Sequence, residues 1–215
     1  GLGVEQPAAV RSARGVGRLC NMNAERLAFD DERFDLVLSL SAFEHIHDVP
    51  RALAEVRRVL RTGGSALISF EPIWTSSHGH HLHHFGPVAK RFPDWGHLLW
   101  TREEMRAKLA GVWPAGARLT LDEALHWVYD SDELNRIGVA THRQHFAGCG
   151  LLAEWVRPVV ERRTDGDYVA HVAARTGLPA ADLLTRGLTY FLHKGHVPLR
   201  RRARVWAKKC FGRHG

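Results

Sequence analysis

The stretch FDLVLSLSAFEHIHDVPRALAEVRRVLRTGGSALISF, Phe34 to Phe70, decides the fold. FDLVLSL (residues 34–40) is a short apolar run of the kind buried on both faces of a sheet. In the segment that follows, Asp48 is placed to cap a helix. Pro50 falls in the first turn, where its missing N–H costs nothing. Ala52, Leu53, Val56, Val59 and Leu60 share one helical face, and Gly63 and Gly64 are expected to end the helix. SALISF (residues 65–70) reads as a second buried strand. Strand, helix and strand in that order predict a βαβ crossover and a parallel pair.

Working upstream, LGVE (residues 2–5) reads as a strand end, QPAAVRSAR as a helix with Pro7 near its start, and GRLCNMN as a further strand. The expected class is therefore α/β, a doubly wound, mostly parallel Rossmann-like sheet. Downstream, the alternation breaks between Glu71 and Trp100, where Gly, Pro, His and aromatic residues dominate. Thr101 and Glu104 form a capping box for a helix to Leu109, and Thr141 with Gln144 forms another, stopping near Gly148. LLAEWVRPVV reads as a late strand whose far end Pro158 demotes. GLPAADLLTRG reads as a short helix between Pro179 and Gly187, and LTYFLHK as the last strand.

At 215 residues the chain suits one sizeable domain with a core of its own. Its three cysteines lie far apart, which argues against a disulfide framework and suits a reducing cytosol. No apolar run is long enough to span a bilayer, and no signal peptide is visible. The net charge of +7 sits in the last twenty residues, where Arg200, Arg201, Arg202, Arg204, Lys208, Lys209 and Arg213 face no acid. The high pI therefore says nothing about the partners of the body. Leu199, Ala203, Trp206 and Cys210 would line one face of a tail helix. Such a basic amphipathic helix suits an anionic membrane surface or nucleic acid, or else packs on its own domain.

Taken together, NAERLAF before FDLVLSLSAFEHI, and RALAEVRRVLRTGG before a strand, resemble the middle of a class I S-adenosylmethionine-dependent methyltransferase of the small-molecule type. The resemblance covers roughly Gly1 to Phe70, with an echo at GLTYFLHK. It implies S-adenosylmethionine as cofactor, lying across the carboxyl ends of the strands. It places Glu5, with the adjacent Gln6, at the ribose hydroxyls, and Asn23 where the family usually carries Asp facing the adenine amino group. The Ala24 N–H would meet an adenine ring nitrogen, and Ser39, Leu40 and Ser41 would lie under the methionine part. Glu44–His45 matches a pair common in the family; His45 either faces the substrate or caps and packs. The family's GxGxG turn is expected about one βα unit before Glu5, and GLG at Gly1 to Gly3 does not replace it. The sequence then reads as a fragment or as a protein without that cradle, and residues 1–215 alone are expected to bind the cofactor weakly or not at all.

Five histidines, His78, His80, His81, His83 and His84, crowd the segment SSHGHHLHHFG. The segment follows a strand end, where the fold puts its substrate lid, and some family members carry segments resembling GHHL and FPDWGHLLW. His80 and His84 at i, i+4 would share a metal on a helix, but Gly79 and Gly86 speak against a helix and no carboxylate or Cys stands at ligand spacing. No metal is expected. Two readings stay open: a substrate pocket in which a histidine takes a proton, or a structural lid packed on Trp74, Trp95 and Trp100. His80 and His81 are the substrate-side candidates, with His83 and His84 assigned to the scaffold.

The resulting expectation is a Rossmann-like core over residues 1–70, a lid over 71–130, the rest of the core over 131–195 and a basic tail over 196–215. The expected activity is methyl transfer in the cytosol to a small-molecule or glycan-like acceptor, with His45, His80 and His81 as candidate catalytic groups. The alternatives are a non-catalytic scaffold of the same fold and an RNA methyltransferase guided by the tail. Against the last, the body carries no RNA-binding signature.

Overall fold

The computed structural model describes residues 8–12, 15–83, 85–86, 91–163 and 165–195. The readings of LGVE, Glu5, Gln6, His84 and the 196–215 tail lie outside these residues.

The decisive stretch folds as its periods require. Strand β3 (Phe34–Leu40) runs into helix α1 (Val49–Val59), which returns into strand β4 (Leu60–Phe70). The crossover makes β3 and β4 parallel, in register from Leu36↔Ser65 to Leu40↔Ser69. The Asp48 side chain accepts from the Arg51 N–H and so satisfies one open donor of the first turn. Val49, Ala52, Leu53, Val56 and Val59 are buried along one face of α1. The helix stops earlier than its glycines suggest. Leu60 already belongs to β4, and Gly63, at φ +84°, serves a bulge at the start of that strand.

Strand β5 (Leu152–Val160) and strand β6 (Thr185–His193) complete a four-stranded sheet of order β3-β4-β6-β5. Strand β6 is antiparallel to both of its neighbours. The α/β Rossmann-like class holds, but the sheet is more mixed than expected, with one parallel pair and two antiparallel pairs among the described residues. Pro158 is tolerated because, among the described residues, β5 has a neighbour on one side only. Gly187 does not stop a helix; it pairs with Val159 inside β6, and the helix before it is the short α7 (Ala180–Leu183).

The expected helix over QPAAVRSAR is a correction. Strand β1 (Ala8–Ser12) pairs antiparallel with β2 (Gly15–Leu19) as a separate ladder. Helices shorter than about 12–15 residues are marginal without a packing partner, and the ladder gives the same backbone groups partners directly.

Helix α5 (Val139–Ala147) starts at the Gly138 cap rather than at Thr141, because Val139 is fully buried and extends the apolar face towards the N-terminus. It packs beside α1 on one face of the sheet. Leu53, Val56, Ile68, Phe70, Phe146 and Tyr190 belong to this core, with the Phe146 and Tyr190 rings stacked 3.9 Å apart. Helices α2 (Gly96–Leu99), α3 (Arg102–Leu109) and α4 (Leu121–Tyr129) follow β4 in the chain, and α3 packs on α4. Thr101 and Glu104 cap α3 as read from sequence, and Thr120 and Glu123 form an equal capping box on α4. Leu82, Phe92, Met105, Leu109, Leu125 and Val128 form a second core that includes buried residues of α3 and α4. A third, with Trp95, Leu99, Val172 and Leu183, joins α2 to helix α6 (Gly166–Thr176).

Candidate functional site

Parallel strands end together, and the end of this pair opens the site. The Ser41 N–H donates to the Ser69 carbonyl at 2.8 Å, closing the ladder. Ser41 then turns the chain outward at φ +48°. The next residues form a tight turn, with His45 N–H on the Ala42 carbonyl. This turn drives Phe43 into the core and Glu44 beneath a cavity of about 400 Å³. The β3 exit contributes Ser41, Glu44 and His45 to the cavity wall, and the β4 exit Glu71 and Pro72. His78, His81 and His83 come from the histidine run, and Arg186 from β6.

A segment about ninety residues away fixes the turn. Asn135 donates from Nδ2 to the carbonyls of Phe43 (2.7 Å) and Ile46 (2.9 Å), and its N–H meets the Glu44 carbonyl. His45 donates from Nδ1 to the Glu133 carbonyl at 2.5 Å, and His47 from Nε2 to the Asp132 carbonyl at 2.6 Å. The acceptor oxygen defines the neutral tautomer of His45, with the proton on Nδ1 and the basic lone pair on Nε2.

Glu44 is only 3% exposed, and its Oε2 has no partner among the described residues. Burial pushes its carboxyl up to about 7, and the charge of Glu71 pushes the same way. Glu71 is half exposed and paired with Arg186 at 3.2 Å.

The histidines divide sharply. His81, at φ +58°, is buried, lines the cavity and donates from Nε2 to the Pro72 carbonyl at 2.9 Å. His80, one residue earlier, is fully buried and does not line the cavity. Its Nδ1 accepts from the Leu82 N–H, and its ring lies 4.6 Å from Phe92 and 5.6 Å from His97. Burial holds its pKa well below the usual imidazole range. His97 donates from Nε2 to the Trp74 carbonyl at 2.7 Å and is held down to about 4 by burial. The GHHL and HLLW segments thus meet through His80, His97 and Trp74. His78 reaches Asp94 at 3.4 Å, and that contact raises its pKa. His83, assigned to the scaffold from sequence, stands in the cavity wall. Among the described residues no group of three His, Cys, Asp or Glu side chains is placed to hold a metal ion.

Of the described residues assigned to a cofactor, Ser41 lines the cavity. Ala24 packs against the same core as Val37 and Ile46. Asn23 is exposed, and its Oδ1 accepts from the Glu25 N–H at 2.8 Å. A carbonyl-type oxygen has a second lone pair and the amide has two donors, so Asn23 retains hydrogen-bonding capacity for a purine edge. Ser39 is half-buried, and Leu40 is 61% exposed at the strand end, an apolar surface suited to being covered by a ligand. These residues fit an adenosyl-methionine group in chemistry. Sequence reading missed Glu44 as an independent group, and it missed Glu71, Arg186 and Asn135 altogether.

Residues 4–68 match a family model described as a methyltransferase domain. The chain is 30% identical over 184 residues to a malonyl-[acyl-carrier protein] O-methyltransferase of Geobacter sulfurreducens, covering 77% of this chain and 62% of that one. It is 37% identical over 57 residues to a ubiquinone/menaquinone biosynthesis C-methyltransferase of Cupriavidus necator, covering 26% and 24% of the two chains. A solved SAM-dependent methyltransferase of Methanosarcina mazei is similar at 16% identity, over 81% of this chain and 65% of that one, with a TM-score of 0.42. The chain spans less than two thirds of the length of the curated relatives it matches.

Proposed function

We propose that this chain, which belongs to the class I S-adenosylmethionine-dependent methyltransferase family, binds S-adenosylmethionine beside the carboxyl ends of β3 and β4 and serves methyl transfer to a small-molecule or glycan-like acceptor. One observation carries the reading: the cavity lies at the carboxyl ends of adjacent parallel strands, where open α/β sheets bind ligands. Asn23, Ala24, Ser39, Leu40 and Ser41 would hold the cofactor, with Glu5 and Gln6 at its ribose. When bound, that cofactor supplies an electrophilic methyl group on a sulfonium. The chain's own part is to seat the acceptor, exclude water and accept a proton where the acceptor must lose one.

His45 and His81 are the lining imidazoles closest to this task. His80 is enclosed, so its part would be to brace His81 and the lid rather than to touch the acceptor. No helix among the described residues is long and apolar enough to cross a membrane, and a cytosolic setting is part of the proposal.

A second reading, a binding scaffold of the same fold, is favoured by one observation. Leu36, Leu38 and Leu40 stand about 60% exposed in a row along β3, a surface that suits a protein partner. Methyl transfer from labelled S-adenosylmethionine into acceptor fractions separates the two. Label transferred by the full-length protein, and lost on His81→Ala, supports the enzyme. Binding of a partner through this row, with no transfer of label, supports the scaffold.

A further inference from the structure

We propose that Glu44 takes the proton from a hydroxyl of a small polyhydroxylated acceptor, a sugar in chemical class, as that hydroxyl is methylated. The inference deepens the methyltransferase reading above and rests on it.

The cavity wall selects the class. Two carboxyl groups, four imidazoles, a guanidinium and a serine hydroxyl surround the space, and among the described lining residues Pro72 is the one apolar side chain. At about 400 Å³ the cavity sits at the small end of ligand pockets, roughly 300–1,000 Å³. A quinone ring or an acyl chain would leave Glu44 Oε2 without a partner. A site built to hydrogen-bond hydroxyls rejects analogues lacking them by about 10⁴-fold. A polyol supplies a donor and an acceptor at each hydroxyl, which matches a wall that mixes both.

Glu44 stands apart from the other groups. Glu71 is paired with Arg186, His45 is anchored through Nδ1 to the Glu133 carbonyl, and His78 contacts Asp94. Glu44 is 97% enclosed and presents Oε2 with no partner among the described residues. A buried oxygen of this kind is costly unless a ligand completes it. Its backbone is fixed by Asn135, so the oxygen is held in place before a ligand arrives.

In the step itself, the acceptor's hydroxyl oxygen gives an electron pair to the methyl carbon. The carbon–sulfur bond breaks, and its pair stays on sulfur. The O–H proton passes to Glu44 Oε2, leaving a methyl ether, a thioether and a neutral carboxylic acid that later loses its proton to water. An alcohol needs such a base, because its own acidity is far too weak to ionise at neutral pH. A carboxyl raised to about 7 suits the task, since a general base works best with a pKa near the working pH. The titratable groups facing it across the cavity are Glu71 and Arg186 from the strand ends, His45 from its own turn, and His78, His81 and His83 from the histidine run. The 133–135 segment packed behind it contributes backbone groups and Asn135.

The test uses the full-length protein. Binding of S-adenosylmethionine by calorimetry comes first, and its absence sinks the methyltransferase reading and this inference with it. Next, a panel of monosaccharides and their methyl glycosides, with a quinol as the apolar rival, is titrated and assayed for methyl transfer. At least one glycoside should bind and be methylated, with turnover rising through a pKa near 7. Glu44→Gln should lower turnover by roughly 10²–10⁴-fold and abolish that rise, with cofactor affinity within about twofold. In cofactor-free protein carrying carbon-13-labelled glutamate, one carboxyl resonance should titrate near 7 and be missing from Glu44→Gln. Glu44→Asp, which keeps a carboxylate, should retain the pH dependence. Cofactor binding with no glycoside methylated, transfer to the quinol instead, or a Glu44→Gln variant as active as the parent would each overturn the proposal.

Discussion

The rings of His45 and His81 meet edge to face, with centroids 5.1 Å apart, in the wall of the cavity. One belongs to the turn after β3 and the other to the histidine run after β4, and each is anchored to a backbone carbonyl, of Glu133 and of Pro72. The pair joins the strand ends to the lid.

His81→Ala and His45→Ala should each lower turnover while leaving cofactor affinity within about twofold. Both rings line the cavity, and neither belongs to the residues assigned to the cofactor. Steady-state kinetics with calorimetry on the same samples checks this. Unchanged turnover in both variants would reduce the pair to a structural role.

Asn135→Ala removes the donors to the Phe43 and Ile46 carbonyls. Each partly buried carbonyl left without a partner costs about 1–3 kcal/mol. A lowered denaturant midpoint is expected, together with lost turnover, since the same bonds hold the Glu44 turn. A variant as stable as the parent would show that the clamp is dispensable.

Gly79 leaves no room for a side chain, because an added Cβ would lie 2.1 Å from the Trp74 carbonyl oxygen. Gly79→Ala must therefore displace backbone in the lid, at about 1–3 kcal/mol or more. Thermal unfolding measures the loss. A variant within a few tenths of a kcal/mol of the parent would contradict this packing.

Acid should weaken the fold. Burial holds His97 and His142 down to about 4, and pushes His80 in the same direction. The unfolded chain protonates these groups near 6.5. Between about pH 6.5 and 4 the unfolded state therefore binds more protons, and stability falls as pH falls. Glu44 opposes this, because its folded pKa of about 7 makes the native state bind a proton that the unfolded chain has lost above about 4.5. His78, raised by its contact with Asp94, opposes it as well, and three histidines against these two groups leave a net loss on acidification, on the order of 1 kcal/mol per pH unit. Denaturant midpoints at pH 7 and pH 5 check the sign. Equal or rising stability at pH 5 would place these histidines in solvent. Glu44→Gln should steepen the dependence.

Much of this architecture is legible in sequence where the determinants are local. The period of Phe34–Leu40, the Asp48 cap and the buried face of α1 lie within one short stretch, and the βαβ unit follows from them. The Thr120–Glu123 box repeats the Thr101–Glu104 pattern and was equally readable. Other features depend on partners far along the chain. Glu44 is buried because Asn135, about ninety residues later, fixes its turn, and nothing near Glu44 signals that. His80 and His81 are neighbours of the same type, yet one is sealed behind the wall and the other lines it. The left-handed backbone at His81 helps to set them apart, and a residue other than Gly gives little warning of such a conformation. The QPAAVRSAR segment is too short to declare its state by period alone.

The central claim is that the site at the ends of β3 and β4 serves S-adenosylmethionine. Calorimetric titration of the full-length protein tests it most directly. One site per chain with micromolar affinity, about 8 kcal/mol, is expected, weakened in Asn23→Ala and unchanged in His81→Ala. No binding at millimolar cofactor, or binding indifferent to Asn23 and abolished by His81→Ala, would contradict it.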